Sequence, residues 1–346
     1  MLKKIVTLLV LFSVATLAYA EAKIVNVYAW TAEIPDFVIR KFEKETGIKV
    51  NISTYENNEI MYTKLRAIKN PGYDVIMPSS YFVDRMRKQN LLESLDKSKL
   101  SNWKNLHPEF LHPAYDPKAE FSVPFIWGIT GIFVNKNYFS TESVNEWKDL
   151  WDERFYNQLM LLDDSREVFS MALLALGYSP NDKNPEHIKQ AFLKLKALAG
   201  NIKVFSSDTV ISIMIDEDAT VGMGWNGDVF RSSQENPNVK FIFPKEGYVL
   251  WVDTFAIPKS APHKDTAYQF INFIMRADIA KEIALTTNFP TANKVAQDHL
   301  PANIKNNPTV YPPPAIMQKA QFQTDLGEET LALYEQYWEE LKMFLG

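Results

Sequence analysis

Short β-rich runs alternate with amphipathic stretches from Lys23 onward, and this alternation constrains the fold of the 346-residue chain more than any other feature. It is the pattern of a largely parallel sheet covered by helices, because each crossover helix must bury one apolar stripe against the strands. KIVNVYAW (23–30) reads as a strand. The following PDFVIRKFEKETG reads as a helix, with Pro35 near its start, where a missing N–H costs nothing, and Gly47 as its stop. Residues 49–55 supply a second strand, Asn57 and Asn58 are candidate caps for EIMYTKLRAIK, and YDVIMP (73–78) is a third strand before the helical SSYFVDRMRKQN. This is β-α-β-α-β, one doubly wound lobe. Such sheets bind ligands at the carboxyl ends of their strands, which places Trp30, the 55–59 turn and residues 79–81 at a candidate site.

A second set follows the Pro- and aromatic-rich PFIWGITGIFVN (124–135). It comprises the strand-like QLMLLDD, helices near 166–176 and 185–199, and the strands KVFSS and TVGMGWNG. KFIFPKEGYVLWVDTFAIP (240–258) reads as two strands around a turn, and the remainder is helical except for VYPPPA at 310–315. At roughly 100–200 residues per domain the length also predicts two units. The expected class is α/β with two doubly wound lobes.

MLKKIVTLLVLFSVATLAYA reads as an export leader: Lys3 and Lys4, an apolar run to about Leu17, and the small-x-small Ala18-Tyr19-Ala20. Cleavage after Ala20 would remove two lysines and take the formal charge from −5 to −7. The chain is expected to act outside the cytoplasmic membrane. An acidic balance without clustered Lys and Arg argues against nucleic acid as a partner. With no cysteine there is no disulfide framework, zinc–thiolate site, thiol nucleophile or lipid-bearing cysteine.

The sequence contains no G-x-S-x-G elbow, H-E-x-x-H, phosphate-binding G-x-x-x-x-G-K-[ST] or G-x-G-x-x-G opening a helix. Its five histidines are scattered, so no catalytic residue, metal site or cofactor is expected. Pairings of rings with carboxylates say more. Trp251 and Asp253 stand two apart on a strand and so share a face, where an indole and an anion make a seat for a cation. A core tryptophan beside a turn aspartate fits the same spacing. Asp163-Asp164-Ser165-Arg166-Glu167 opens a helix, and Asp164 with Glu167 fits a capping arrangement. Three acids in five residues at a ligand-binding strand end fit a cation equally, with Arg166 neutralising one of them. GMGWNG (222–227) sets Trp225 among glycines, which in strands mark close approach of a ligand or a backbone. Trp30, Thr31 and Tyr81 fall at strand ends of the first lobe. Leu331, Tyr334, Tyr337, Trp338 and Leu341 have the spacing of a packing helix face.

These same passages carry a resemblance. YAWTAEIP, STYENNEIMYTKL, YDVIMPSSYFVDRMRK, LLDDSREVFSMAL, GMGWNG, FPKEGYVLWVDTFAIP and TNFPTAN, spread over the whole chain after the leader, are similar to the polyamine-binding type II substrate-binding proteins of ABC transporters. The resemblance implies a monomer in the periplasm that binds spermidine or putrescine between two hinged lobes and delivers it to an inner-membrane ABC permease. It implies lobes of 22–129 with 252–297 and 130–251 with 298–346. Carried over, the family's aromatic clamp falls on Trp30, Tyr81, Trp225 and Trp251, its carboxylates on Asp164, Glu167 and Asp253, and its polar contacts on Thr31, Ser79, Ser207 and Gln323. Two positions depart. Ala32-Glu33 replaces a Glu-Tyr pair, so Glu33 would point away from the site if the strand continued. Phe289 replaces a clamp tyrosine and lacks its hydroxyl. Two other readings compete. One is a binding protein for putrescine alone or another organic cation. The other is an exported glycoside hydrolase using Asp164 with Glu167 or Asp253.

Overall fold

The computed structural model describes residues 23–345, and the leader expected over residues 1–20 lies outside them. β1 (Ile24–Trp30) and β2 (Lys49–Tyr55) pair in parallel along their full length, from Ile24–Lys49 to Trp30–Tyr55. Between them α1 (Asp36–Thr46) starts after Pro35 and stops at Gly47, whose φ of 70° turns the chain back. Asn57, not Asn58, caps α2 (Asn58–Ala67) by accepting from the Ile60 N–H at 2.9 Å. Asn58 is thereby left free to face the cleft.

The third strand is shorter than the sequence suggests. β3 is only Val75–Ile76, because the residues around it are committed elsewhere. Asp74 accepts from the Asn26 and His263 backbone N–H groups at 2.8 and 2.6 Å, and the Pro78 carbonyl accepts from the Thr254 hydroxyl at 2.8 Å. α3 (Ser80–Lys88) follows, and the first sheet has the order β2-β1-β3.

PFIWGITGIFVN, read as the approach to a second lobe, is instead the longest strand among the described residues. β4 (Val123–Asn135) is buried at all 13 positions, which leaves it no polar face and no alternation to read. The rest of the chain runs β5 (Leu159–Leu161), α4 (Ser165–Ala175), α5 (Pro185–Ala197), β6 (Ile202–Phe205), α6 (Val210–Ile215), β7 (Val221–Trp225), α7 (Asn226–Glu235), β8 (Val239–Ile242) and β9 (Tyr248–Phe255). Helices α8 (Lys264–Ile274), α9 (Ala277–Thr287), α10 (Lys294–Asp298), α11 (Ala302–Lys305) and α12 (Pro314–Met317) follow, then β10 (Ala320–Phe322) and α13 (Glu328–Leu345). The two strands expected around a turn over 240–258 are β8 and β9, and both pair with β4, while β10, in a stretch expected to be helical, corrects that reading by adding to the edge of β9.

The antiparallel β4–β9 pair ties the lobes together. The amino-terminal half of β4 pairs with β9, and its carboxyl half pairs with β7 and β8. One core gathers Val27, Phe42, Phe255 and Phe270, while another gathers Phe133, Leu161, Phe169 and Trp147. Leu331, Tyr334, Trp338 and Leu341 on α13 are buried in the second core, as their spacing predicts.

In GMGWNG, Gly222 serves a close backbone approach. Its φ is 153°, and a Cβ there would collide with the Met160 carbonyl on the adjacent parallel strand β5. Gly222→Ala is therefore expected to destabilise the second lobe by about 2–3 kcal/mol through strain and clash together. Denaturant unfolding followed by tryptophan fluorescence measures this, and an unchanged midpoint would refute it.

Candidate ligand-binding cleft

Between the lobes lies a cleft with about 1,010 Å³ of open space, and all thirteen residues singled out from the sequence border it. They arrive from separate elements. Trp30 ends β1, Ser79 and Tyr81 surround the start of α3, Asp164 and Glu167 open α4, Trp225 ends β7, and Trp251 and Asp253 share one face of β9. Thr31, Ser207, Phe289 and Gln323 complete the lining from connecting segments.

On the first-lobe side a polar relay fixes the geometry. Asn58 accepts from the Ser79 N–H at 3.0 Å and donates to the Ser79 and Tyr81 hydroxyls at 3.0 and 3.2 Å. The Ser79 hydroxyl donates to Asp253 Oδ1 at 2.5 Å. Asp253, 4% exposed, is thus aimed by a chain of hydrogen bonds beginning at the first residue of α2.

On the other side the acidic run divides. Asp164 both caps α4, accepting from the Glu167 N–H at 3.0 Å, and borders the cleft. Capping and cation-facing were not exclusive, since a carboxylate has two oxygens. Glu167 is 6% exposed, and its Oε2 has no hydrogen-bond partner. Asp163 instead turns outward to Lys342 at 2.6 Å. Arg166 does not pair with these acids. Fully buried, its guanidinium lies over the Tyr81 ring at 5.1 Å and donates to the Thr324 carbonyl at 3.3 Å. Ser207 steadies the loop by accepting from the Asp163 N–H at 3.0 Å, and Gln323 donates to Ser170 at 3.3 Å.

Rings form the walls between the acids. Trp251 meets Trp225 edge-on at 6.5 Å and Phe289 at 5.3 Å. Two glycines make room for them: a Cβ on Gly128 would enter the Trp251 ring, and one on Gly227 would enter Phe289. Trp251 is therefore part of the first core and of the cleft wall at once.

Glu33 does not point away. β1 ends at Trp30, Ala32 takes a left-handed φ of 64°, and Glu33 swings into the cleft beside Asp253. The alternation argument fails there because the strand has already stopped.

Tyr55 and Asn58, in the 55–59 turn expected at the site, also border the cleft, and so do Asp228 and Arg231, which were not foreseen. Asp228 directly follows GMGWNG, and that proximity to Trp225 was the one signal available for it. Of the histidines, His107 bonds Gln297 and His112 rests on the Pro117 carbonyl, both away from the cleft.

Seven acidic residues border the cleft against a single guanidinium, that of Arg231, so the site is built for positive charge. Withdrawal from water dominates their titration. Burial lifts the Asp253 and Asp228 carboxyls to about 7. Glu167 is lifted to about 8 by burial and then by the Asp164 charge, and Glu33 rises well above the usual range by burial and then by Asp253. Burial also raises Asp164, opposed by its capping hydrogen bond and by Arg166.

An interlobe cleft in a two-lobed α/β molecule is the architecture that solute-binding proteins use. The chain belongs to the bacterial extracellular solute-binding protein family, whose profile matches residues 38–312. It is 42% identical over 315 residues to the spermidine/putrescine-binding periplasmic proteins of Salmonella typhimurium and of Escherichia coli, covering 91% of this chain and 90% of each relative. It is 36% identical over 326 residues to the putrescine-binding periplasmic protein PotF of Escherichia coli, covering 89% of this chain and 88% of that protein. A solved structure of a putative spermidine/putrescine ABC transporter protein from Listeria monocytogenes superposes with a TM-score of 0.91 at 35% identity, covering 93% of this chain and 99% of that one.

Carboxyls raised in the folded state hold protons that the unfolded chain has lost. The free protein should accordingly be more stable near pH 5 than near pH 8, losing stability from the ordinary carboxyl range up to about 7–8 as the unfolded chain sheds protons that Asp253, Asp228 and Glu167 retain. Thermal scans from pH 5 to 8.5 read this directly. Stability that rises over that range would contradict it.

Proposed function

We propose that the protein captures a polyamine, spermidine or putrescine, in the interlobe cleft and delivers it in the periplasm to an ABC permease of the inner membrane. The observation that carries this reading is the interleaving of shielded carboxyls with indole and phenyl faces in one cleft. A flexible chain of methylenes bearing ammonium groups is the complementary ligand: each nitrogen meets acids, and each methylene run meets rings. Anions are excluded by the same seven acids.

Closure about the hinge follows from the energetics. Removing an ammonium from water is favourable only where carboxylates replace its hydration, and the acids here come from both lobes: Glu33 from the first, Asp164 and Glu167 from the second. The ligand therefore stabilises the closed form over the open one, and a permease can read that difference. On this reading the lobes comprise 22–129 with 252–297 and 130–251 with 298–346, the leader is removed after Ala20, and the protein acts as a monomer.

No catalytic role is assigned. Asp164 and Glu167 stand within one helical turn, with Asp164 occupied in capping the other's N–H, rather than facing each other across a substrate bond. They serve as charge partners.

Calorimetric titration with putrescine, cadaverine, spermidine and spermine tests the assignment, and absence of binding to all four would overturn it. Asp253→Asn should weaken binding by about 2–5 kcal/mol, the range for breaking a desolvated charge pair. An unchanged affinity would remove Asp253 from the site. Trp251→Ala should weaken binding while the protein still folds, since the ring also borders the open cleft; a variant that unfolds would assign Trp251 to the core alone.

A further inference from the structure

We propose that Glu33 sets the charge selectivity of the cleft: beside Asp253 it forms a two-carboxyl seat that shares one proton when free and expels it when an ammonium docks. The proposal rests on the polyamine reading and specifies how one end of that site reads its ligand.

The backbone is the first ground. Glu33 enters the cleft only because Ala32 is held at φ 64°, a conformation that costs an L-residue energy and that alanine, lacking a side-chain amide, does nothing to offset. The tertiary structure holds this kink where it turns a carboxyl inward.

Polar accounting is the second. Glu33 Oε2 is shielded from water with no donor, and the Trp251 Nε1, on a side chain 7% exposed and bordering the same cleft, has no acceptor. Asp253 accepts from the Ser79 hydroxyl, and the Glu33 carboxyl and the Trp30 indole lie within hydrogen-bonding reach of it.

The surrounding charges are the third. Glu33 faces Asp253 from β9 and Asp228 from α7, and the Tyr55 hydroxyl beside it is turned to the Met77 carbonyl. The nearest cation on these elements is Arg231, one helical turn beyond Asp228 on the exposed side of α7. No lysine borders the cleft.

Two adjoining carboxyls with no cation between them cannot both ionise, so the free seat is one carboxylic acid donating to one carboxylate. When an ammonium docks, its N–H groups replace that shared proton, and the proton leaves to solvent. The loaded seat then carries two negative charges against one ammonium. A ligand with a second positive nitrogen a short methylene spacer away offsets the remainder, so a triamine gains more here than a diamine.

Calorimetry near pH 7 in buffers of different ionisation enthalpy counts the protons released as spermidine or putrescine binds. Relative to the wild type, Glu33→Gln should release about one proton fewer per spermidine and shrink the spermidine-over-putrescine preference about tenfold. Ala32→Val should do the same without touching a carboxyl, because a β-branched residue resists positive φ, while Ala32→Gly should behave as wild type. An unchanged proton count or an unchanged preference in Glu33→Gln, with the wild type binding normally, overturns this inference alone. A wild type that binds no polyamine overturns the polyamine reading and this inference with it.

Discussion

Carboxyl groups withdrawn from water without a cation in contact are the constraint on which this architecture turns. Glu167 and Asp253 are each less than a tenth exposed, yet neither forms an ion pair among the described residues. In an ordinary core such groups would be replaced or paired, because an unpaired buried charge destabilises a fold. Here the protein tolerates them by holding protons, by lining up a few hydroxyl and backbone donors, and by placing Arg166 behind Tyr81, where its field reaches the acids without quenching them. The site is left with unsatisfied demand for positive charge, which the proposed polyamine would meet.

The rest of the fold holds that demand in place. β4 and β9 run through both lobes and carry Trp251 and Asp253 to their meeting point. Asn58 ties Ser79 and Tyr81 together, and Ser79 aims Asp253. Gly128 and Gly227 are small because aromatic rings lie on them, so the walls of the cleft are as tightly packed as the core beneath. Rigidity matters because a cation seat misplaced by a fraction of an ångström loses the hydrogen bonds that compensate desolvation.

Much of this was legible in the residues. The first lobe follows from alternating runs, from Pro35 and Gly47 as helix bounds, and from strand ends that gather a ligand, and the apolar spacing of α13 marks it as packing. β4 was not legible as a strand, because a segment buried on both faces shows no alternation. β10 was hidden by its length of three residues, too short for any periodicity to register. Asp228 gave no signal of its own, and Asn58 was marked only by its place in the 55–59 turn. One follows a glycine that exists to admit Phe289, and the other is released for the cleft because its neighbour Asn57 takes the cap.

By itself the sequence determined that the chain makes two α/β lobes and that its acids and rings suit a cation, since hydrophobic period, capping chemistry and charge are local properties; the full set of thirteen side chains came from its resemblance to a family. Only the tertiary structure decided that Glu33 faces inward, that Arg166 stands behind the site rather than within it, and that Asp163 turns to the surface. Those outcomes depend on one left-handed residue, one ring under a guanidinium and one lysine on a distant helix. None is encoded in neighbouring residues, because the direction of a side chain is set by what packs against it from elsewhere in the chain.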